Sequence, residues 1–252
     1  MKLKQFLNNK SSFIIVGLIN IALFHYAIIR LWFFLLDSTG RNAVDVGPYQ
    51  WTINTLLLCF FSIPHSLLLN SKTKRRLLNY IPGKLYSTIY SLHACIAIIL
   101  MDEFWVTIGP NLMISTKFTS NIITILYIFS WLFMFWTMST IGLFKQSGIE
   151  EWWNAIKRKK IKGSLIQHGP YKICRHPIYV AFLGMIWFTP NISADRLYLS
   201  LFWTIYIFVG ATFKEVRLSK SKMYREYSKK VPAFPLFPKK LDHIIAKKVW
   251  SI

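Results

Sequence analysis

Long apolar runs alternate with short polar segments along most of this chain. The runs cover residues 13–36, 51–69, 85–101, 122–144, 178–189 and 197–213. The first four are close to the roughly 20 residues that a helix needs to cross a bilayer. The fifth run is short and ends at Pro190, so it pairs with the sixth as a tight hairpin of undetermined depth. The pattern predicts an all-α, polytopic membrane protein with about six transmembrane helices, or five plus a re-entrant hairpin.

Basic residues are concentrated in alternate polar segments, and this bias orients the predicted helices. Of the 31 Lys and Arg residues, all except Arg30, Arg41, Lys117 and Arg196 lie in the N-terminus, the 70–84 and 145–175 segments, or the tail from residue 214. Basic loops remain on the cytosolic side of a membrane, so both termini are predicted to be cytosolic. The net charge of +21 then indicates an anionic membrane surface as the partner and no nucleic acid.

Composition supports a single membrane domain over residues 1–252. The chain is 54% hydrophobic and only 16% charged, which excludes an ordinary soluble domain. We expect four spans in residues 1–144, and a cytosolic loop, helical hairpin and basic tail in residues 145–252. Cys59, Cys95 and Cys174 lack the spacing of a metal site or disulfide framework. The sequence predicts no metal site, and no obligate protein partner is evident.

The most distinctive stretch is residues 169–179, where a basic segment meets an apolar run. Gly169-Pro170 is a turn signal, and Pro177 suits the first turn of a helix. Arg175 and His176 therefore precede a helix N-terminus, where an Arg can clamp a carboxylate or phosphate. The simpler interpretation is a basic side chain that reaches the membrane surface. Both interpretations remain open from the residues alone.

A second polar feature lies inside the second apolar run, at Pro64-His65-Ser66. Pro64 removes a backbone hydrogen bond and should kink the helix. His65 and Ser66 are then polar groups at membrane depth, where they need partners or a cavity. Interhelical hydrogen bonding and a substrate pocket are both consistent with this pattern.

These stretches together resemble a known family. The chain has Gly-Pro-Tyr, then three further residues, then Arg-His-Pro-x-Tyr, and acidic and aromatic positions follow later. The residues of this pattern are Tyr171, Arg175, His176, Pro177, Tyr179, Glu215, Tyr224 and Tyr227. It resembles the cofactor motif of the isoprenylcysteine carboxyl methyltransferase superfamily of integral-membrane methyltransferases. The segment containing Phe60 to Ser66 looks like the methanethiol S-methyltransferase and NnrU-like branch. The family usually has two Glu after the last span, whereas this chain has Lys214 at the first of these positions.

The resemblance implies S-adenosylmethionine as the methyl donor and a small or lipophilic thiol as the acceptor, giving a methyl thioether. It implies that Arg175 binds the donor carboxylate, and that Glu215 binds a cationic group or fixes Arg175. His176 would hold a polar atom of the donor or assist thiol deprotonation, and His65 would serve the acceptor. Donor contacts are also implied for Pro177 and for four aromatic rings, those of Tyr171, Tyr179, Tyr224 and Tyr227.

Three alternatives remain at this point. One is methylation of the carboxyl group of isoprenylcysteine or of another lipophilic acceptor. Another is a sterol-type NADPH reductase of the membrane, since some of these share an Arg-His-Pro hairpin. Such reductases typically have Asn before the Tyr, where this chain has Ile178. The last alternative is a non-catalytic membrane protein.

Overall fold

A computed structural model describes residues 2–36, 47–109, 111–145, 147–157 and 165–235. The first polar loop, much of the basic run after Lys157, and the tail beyond residue 235 lie outside the described residues. Ten α-helices are present in the described ranges: α1 (Lys2–Asn8), α2 (Lys10–Leu36), α3 (Gln50–Leu69), α4 (Ser71–Leu77), α5 (Tyr86–Phe104), α6 (Lys117–Ile141), α7 (Ile149–Ile156), α8 (Pro177–Trp187), α9 (Ala194–Leu218) and α10 (Lys222–Lys230).

Short 3-10 turns and one small β-ribbon connect these helices. The turns cover Gly47–Tyr49, Gly83–Leu85 and Gly169–Lys172. Strands β1 (Asn111–Ile114) and β2 (Asn191–Ser193) pair antiparallel, with a register shift between Asn111 and Met113. The nearly all-helical architecture confirms the predicted fold class, and the ribbon is a feature that the apolar pattern did not indicate.

Five helical segments are long and apolar enough to span a membrane. They are Lys10–Leu36, Gly47–Leu69, Gly83–Phe104, Lys117–Ile141 and Ala194–Leu218. Helix α8 is apolar but has only 11 residues. At about 1.5 Å per residue, it is too short for a hydrocarbon core of roughly 30 Å. The protein is therefore an integral membrane protein that has, in the described ranges, five helices long and apolar enough to cross a bilayer and one shorter apolar helix. Whether α8 and α9 form a re-entrant hairpin stays a prediction, and so does the orientation of the termini.

The described helices fall into two compact units, and whether they act as a single membrane domain stays a prediction. The first unit comprises Met1–Ile114, Phe144–Lys162 and Asn191–Arg196. Helices α2, α3 and α5 pack side by side within it. A Cβ on Gly17 would lie 1.9 Å from the Trp152 ring, so only glycine lets this indole of α7 lie against α2. The Trp152 indole also donates to the carbonyl oxygen of Phe13 at 2.9 Å.

Polar side chains connect helices α2, α3 and α5 in the first unit. The Asn54 amide exchanges two hydrogen bonds with the main chain of Val106, at 2.8 and 2.9 Å. Arg30 of α2 forms ion pairs with Asp102 and Glu103 of α5. Because buried polar groups are costly without partners, these contacts fix how the spans are aligned.

The second unit comprises Ser115–Leu143, Gly163–Pro190 and Leu197–Ile252. Helices α6 and α8 approach closely at Gly184, where a Cβ would lie 2.2 Å from the Ser130 hydroxyl oxygen. Helix α9 is linked to α8 by the Trp187 indole, which donates to the Thr204 hydroxyl at 2.9 Å. This unit positions the stretch that the sequence singled out.

Candidate functional site

The stretch at residues 169–179 folds as its turn signals predict. Gly169 has a φ of +59°, and a Cβ there would lie 3.0 Å from the Thr140 hydroxyl oxygen at the end of α6. This left-handed conformation and the close approach together favour glycine. The turn Gly169–Lys172 follows, and Pro177 is the first residue of α8, with His176 at the N-cap. The predicted turn and helix start are therefore confirmed.

The chain after α10 returns to run beside this stretch. The main-chain N–H of Arg175 donates to the carbonyl oxygen of Pro232 at 2.9 Å, and that of His176 donates to Ala233 at 3.2 Å. These two bonds secure the start of α8 to the tail. Residues that are more than 50 positions apart in sequence thus form one cluster.

Arg175 is a fully engaged side chain at the centre of the cluster. Its guanidinium forms a two-pronged pair with Glu215, with both N···O distances at 3.0 Å. It also donates to the carbonyl oxygens of Ser228 at 3.1 Å and Val231 at 2.6 Å. Only 3% of the side chain is exposed. The structure therefore shows the second of the two contacts considered for Glu215, in which it fixes Arg175; direct binding of a donor carboxylate by Arg175 stays a prediction.

Glu215 of α9 connects three other members of the cluster. Besides the pair with Arg175, its Oε1 accepts a hydrogen bond from the Tyr224 hydroxyl at 2.5 Å. The same oxygen lies 2.8 Å from Nε2 of His176. Charged hydrogen bonds of this kind are among the strongest in proteins, so Glu215 joins the end of α9 to α10 and to the start of α8.

His176 is a buried imidazole between aromatic rings. It is 1% exposed, stacks on Tyr179 with ring centroids 5.3 Å apart, and lies 5.6 Å from the Phe234 ring. Burial lowers the pKa of His176, and the nearby Glu215 carboxylate opposes this effect. A lowered pKa favours the neutral ring at physiological pH. Nδ1 of this ring has no hydrogen-bond partner in the described part of the chain.

The predicted tyrosines line the same cluster. The Tyr227 hydroxyl donates to the carbonyl oxygen of Tyr171 at 2.5 Å, which attaches α10 to the turn before α8. Burial raises the pKa of Tyr171 to about 12, and it also raises the pKa values of Tyr224 and Tyr227. All three phenols therefore remain protonated donors at physiological pH.

Lys214 is a member of the site that sequence reasoning noted only as a departure from the family. Its ammonium lies 5.2 Å from the centroid of the Tyr179 ring, and the side chain is half-buried. Phe234 was also missed as a site residue. The sequence carried no local signal for it, because its contact with His176 depends on the return of the tail.

His65 lies in the other unit and has its own surroundings. Pro64 is inside α3 as predicted. The His65 ring stacks on Phe61 at 4.8 Å, and its Nε2 lies 2.5 Å from the Tyr90 hydroxyl of α5. The structure thus brings eight predicted site residues together in the second unit and places His65 in the first. No group of three or more potential metal ligands is found among the described residues.

Comparisons with known proteins find similarity over most of the chain. A methanethiol S-methyltransferase from Pseudomonas deceptionensis is 27% identical over 199 residues, covering 75% of this chain and 76% of that protein. Another, from Pseudomonas sp. (strain GM41(2012)), is 28% identical over 189 residues, covering 73% and 72%. Over about three quarters of its length, this chain is similar to proteins named methanethiol S-methyltransferase.

The relationship confirms the resemblance that the motifs predicted. Nurim from Mus musculus is also similar, with 24% identity over 193 residues and 72% of each chain covered. No family model matches the chain, and no solved structure matches it. Because these relatives are named methyltransferases, they support a methyltransferase activity without specifying its donor or acceptor.

Proposed function

We propose that this protein is a membrane methyltransferase that uses S-adenosylmethionine to methylate a small or lipophilic thiol, giving a methyl thioether. The observation that carries the proposal is the similarity to proteins named methanethiol S-methyltransferase, at 24–28% identity over 73–87% of this chain. The cluster around Arg175 supports it, because its chemistry fits such a donor.

The fit rests on complementary groups in the second unit. When bound, S-adenosylmethionine supplies an electrophilic methyl group on a sulfonium cation, together with a carboxylate, an ammonium and an adenine. The faces of Tyr179 and the neighbouring tyrosines suit the sulfonium by cation–π attraction or the adenine by stacking. His176 offers a buried Nδ1 without a described partner to a polar atom of the ligand. The ion pair of Arg175 and Glu215 fixes the relative positions of these side chains.

The reaction itself requires little covalent participation by the protein. The acceptor thiol loses its proton, and the resulting thiolate is the nucleophile. Methyl transfer would form a sulfur–carbon bond on the acceptor while the sulfonium–methyl bond of the donor breaks, leaving a methyl thioether and the neutral demethylated donor, so the opposite charges would cancel. The protein then acts mainly by aligning the two sulfurs and excluding water. His176 is the group proposed to receive or position the thiol proton in the second unit, and the role of His65 in serving the acceptor stays a prediction from the sequence.

Methyl transfer in isolated membranes tests this proposal. Membranes containing the protein, S-adenosylmethionine with a deuterated methyl group, and small alkyl thiols should yield labelled methyl thioethers by mass spectrometry. The rate should rise with pH until the thiolate dominates, and His65→Ala should impair turnover more than donor binding. Transfer only to a prenylated cysteine carboxylate would overturn the thiol assignment. NADPH-dependent reduction without methyl transfer would overturn the methyltransferase proposal itself.

We also infer that the donor site faces the cytosol, because the basic segments around it should remain there. Lys172 is exposed and lies within the site's turn, so a Lys172→Cys variant is a suitable reporter. A membrane-impermeant maleimide should label it in inverted vesicles and not in intact cells. Labelling only from the outside of intact cells would contradict this orientation.

A further inference from the structure

Lys214 is a half-buried basic residue of the site that has no carboxylate within ion-pair distance in the described part of the chain. The guanidinium of Arg175 is paired with Glu215 through two 3.0 Å contacts. The described contact of the Lys214 ammonium is with the face of the Tyr179 ring, at 5.2 Å. No hydrogen-bond acceptor for Lys214 is found among the described residues. The cluster therefore has, at this position, a basic side chain without a carboxylate partner in the described part of the chain.

An ammonium in this setting needs an anionic or polar partner. It has three N–H donors, and a cation–π contact satisfies none of them with an oxygen. The side chain is half-buried, so water compensates only part of the lost hydration. A ligand oxygen within hydrogen-bond distance of the Lys214 ammonium would supply the acceptor that the described residues lack.

The position of Lys214 relates it to the rest of the cluster. It adjoins Glu215 on α9, and Tyr179, over which its ammonium lies, also stacks on His176. Tyr179 therefore has both the His176 ring and the Lys214 ammonium as neighbours. An anion bound at Lys214 would thus lie beside the aromatic rings proposed for the donor.

We propose that Lys214 binds the carboxylate of the methyl donor, while Arg175 acts as a positioning residue through Glu215. This assignment rests on the proposed function, because it presupposes a donor with an amino-acid carboxylate. It differs from the role predicted for Arg175 from the sequence, since the structure uses that guanidinium in contacts with Glu215 and two main-chain carbonyls.

The test compares two ligands that differ only in the carboxylate. S-adenosylmethionine and decarboxylated S-adenosylmethionine are titrated against the purified full-length protein in nanodiscs, with calorimetry as the readout. The unmodified protein should bind the first at least tenfold more tightly. Lys214→Met should weaken S-adenosylmethionine binding about tenfold and leave the affinity for the decarboxylated ligand unchanged. Lys214→Arg should retain most of the discrimination, because it restores a cation.

The controls separate this proposal from the proposed function. Lys222→Met removes an exposed positive charge from the same unit and should leave both affinities unchanged. Equal weakening of both ligands by Lys214→Met, or no change in either, would overturn the role of Lys214 alone. If donor affinity were unchanged and the pH–rate profile shifted, Lys214 would act on the methyl acceptor. That result would also overturn its proposed role in binding the donor carboxylate. If the unmodified protein bound neither ligand, the proposed function would fail as well.

Discussion

Two arginine–carboxylate pairs in this protein look alike and have different surroundings. Arg30 pairs with Asp102 and Glu103 inside the first unit, and its side chain is 19% exposed. Arg175 pairs with Glu215 inside the second unit, and its side chain is 3% exposed. Both pairs are contacts between residues distant in sequence. Neither pair by itself identifies a functional site, because buried pairs also serve alignment and specificity of packing.

The neighbours of each pair make the difference. The Arg30 guanidinium also bonds the Tyr26 hydroxyl at 2.8 Å, one turn earlier on α2, so the contacts around it join two spans. Around Arg175 lie a buried histidine with an unpartnered Nδ1, several aromatic rings and the ammonium of Lys214. A buried polar network that contains an atom without a hydrogen-bond partner is a better sign of a ligand site than an ion pair alone.

The largest expected effect is that of removing Arg175. Truncation in Arg175→Ala leaves Glu215 buried without its main partner, and such losses cost about 3–5 kcal/mol. We expect donor affinity to fall by more than tenfold and the apparent Tm to fall with it. Arg175→Lys should fail substantially too, because an ammonium cannot reproduce the planar two-pronged contact. Calorimetry and thermal unfolding measure both effects.

The matched control for this variant is Arg75→Ala, since Arg75 is an exposed arginine. It should leave donor affinity and Tm unchanged. Normal donor affinity in both Arg175 variants would limit this residue to a role in the stability of the second unit.

Removing Arg30 should lower the thermal stability of the protein without weakening donor binding. Arg30→Met leaves the Asp102 carboxylate, which is 2% exposed, without its partner, so we expect a clear loss of thermal stability. The double variant Arg30→Met/Asp102→Asn should recover part of that loss, because it also removes the buried negative charge that Arg30 neutralises. Donor affinity, measured below the lowered Tm, should stay within twofold of the unmodified protein. A tenfold loss of donor affinity would show that the comparison between the two pairs is wrong.

A smaller effect is expected from the tyrosine contacts of the second unit. Tyr224→Phe removes a hydrogen bond to the charged Glu215, worth about 1.5–3 kcal/mol, whereas Tyr227→Phe removes one to a neutral carbonyl, worth about 0.5–1.5 kcal/mol. The apparent Tm should therefore fall more for Tyr224→Phe. The reverse order would mean that Glu215 is not the main connection of this cluster.

The smallest expected effect is a pH dependence from His176. Its pKa is lowered by burial in the folded protein, whereas an unfolded histidine titrates near 6.5. The stability contributed by this group is present above about pH 6.5 and is lost as the pH falls below it, because the unfolded chain then binds a proton more readily. The groups facing the ring are Glu215, Lys214 and Arg175.

Thermal unfolding at pH 7.5 and 5.5 measures this dependence. His176→Asn should show a smaller decrease in Tm between the two pH values than the unmodified protein. His168→Asn is the control, because His168 is exposed, and it should behave like the unmodified protein. An unchanged pH dependence in His176→Asn would place the titrating group elsewhere.

The sequence predicted those features that local patterns encode. Apolar runs of bilayer length predicted the first four long apolar helices, whereas the depth of the helix at 197–213 was left open. The signals at Gly169-Pro170 and Pro177 predicted the turn and the start of α8. Boundaries were less accurate: α6 begins at Lys117, not near residue 122. The ribbon of β1 and β2 was missed because its short strands carry little pattern.

The contacts of the site could not be derived from the sequence. The partners of Arg175 lie 40 to 56 positions away in the chain, and no local pattern specifies which acceptor a guanidinium reaches. For the same reason the sequence left open whether Glu215 binds a ligand or fixes Arg175. Tyr90, which contacts His65 across two helices, was missed because its position in an apolar run resembles ordinary packing.

The most direct test of the account is binding of the donor by the purified protein. Only a ligand that binds the folded state raises its apparent stability. S-adenosylmethionine should raise the Tm of the unmodified protein, and NADPH should not. The same ligand should leave the Tm of Arg175→Ala unchanged and should still raise that of Arg30→Met. Stabilisation by NADPH and none by S-adenosylmethionine would contradict the account.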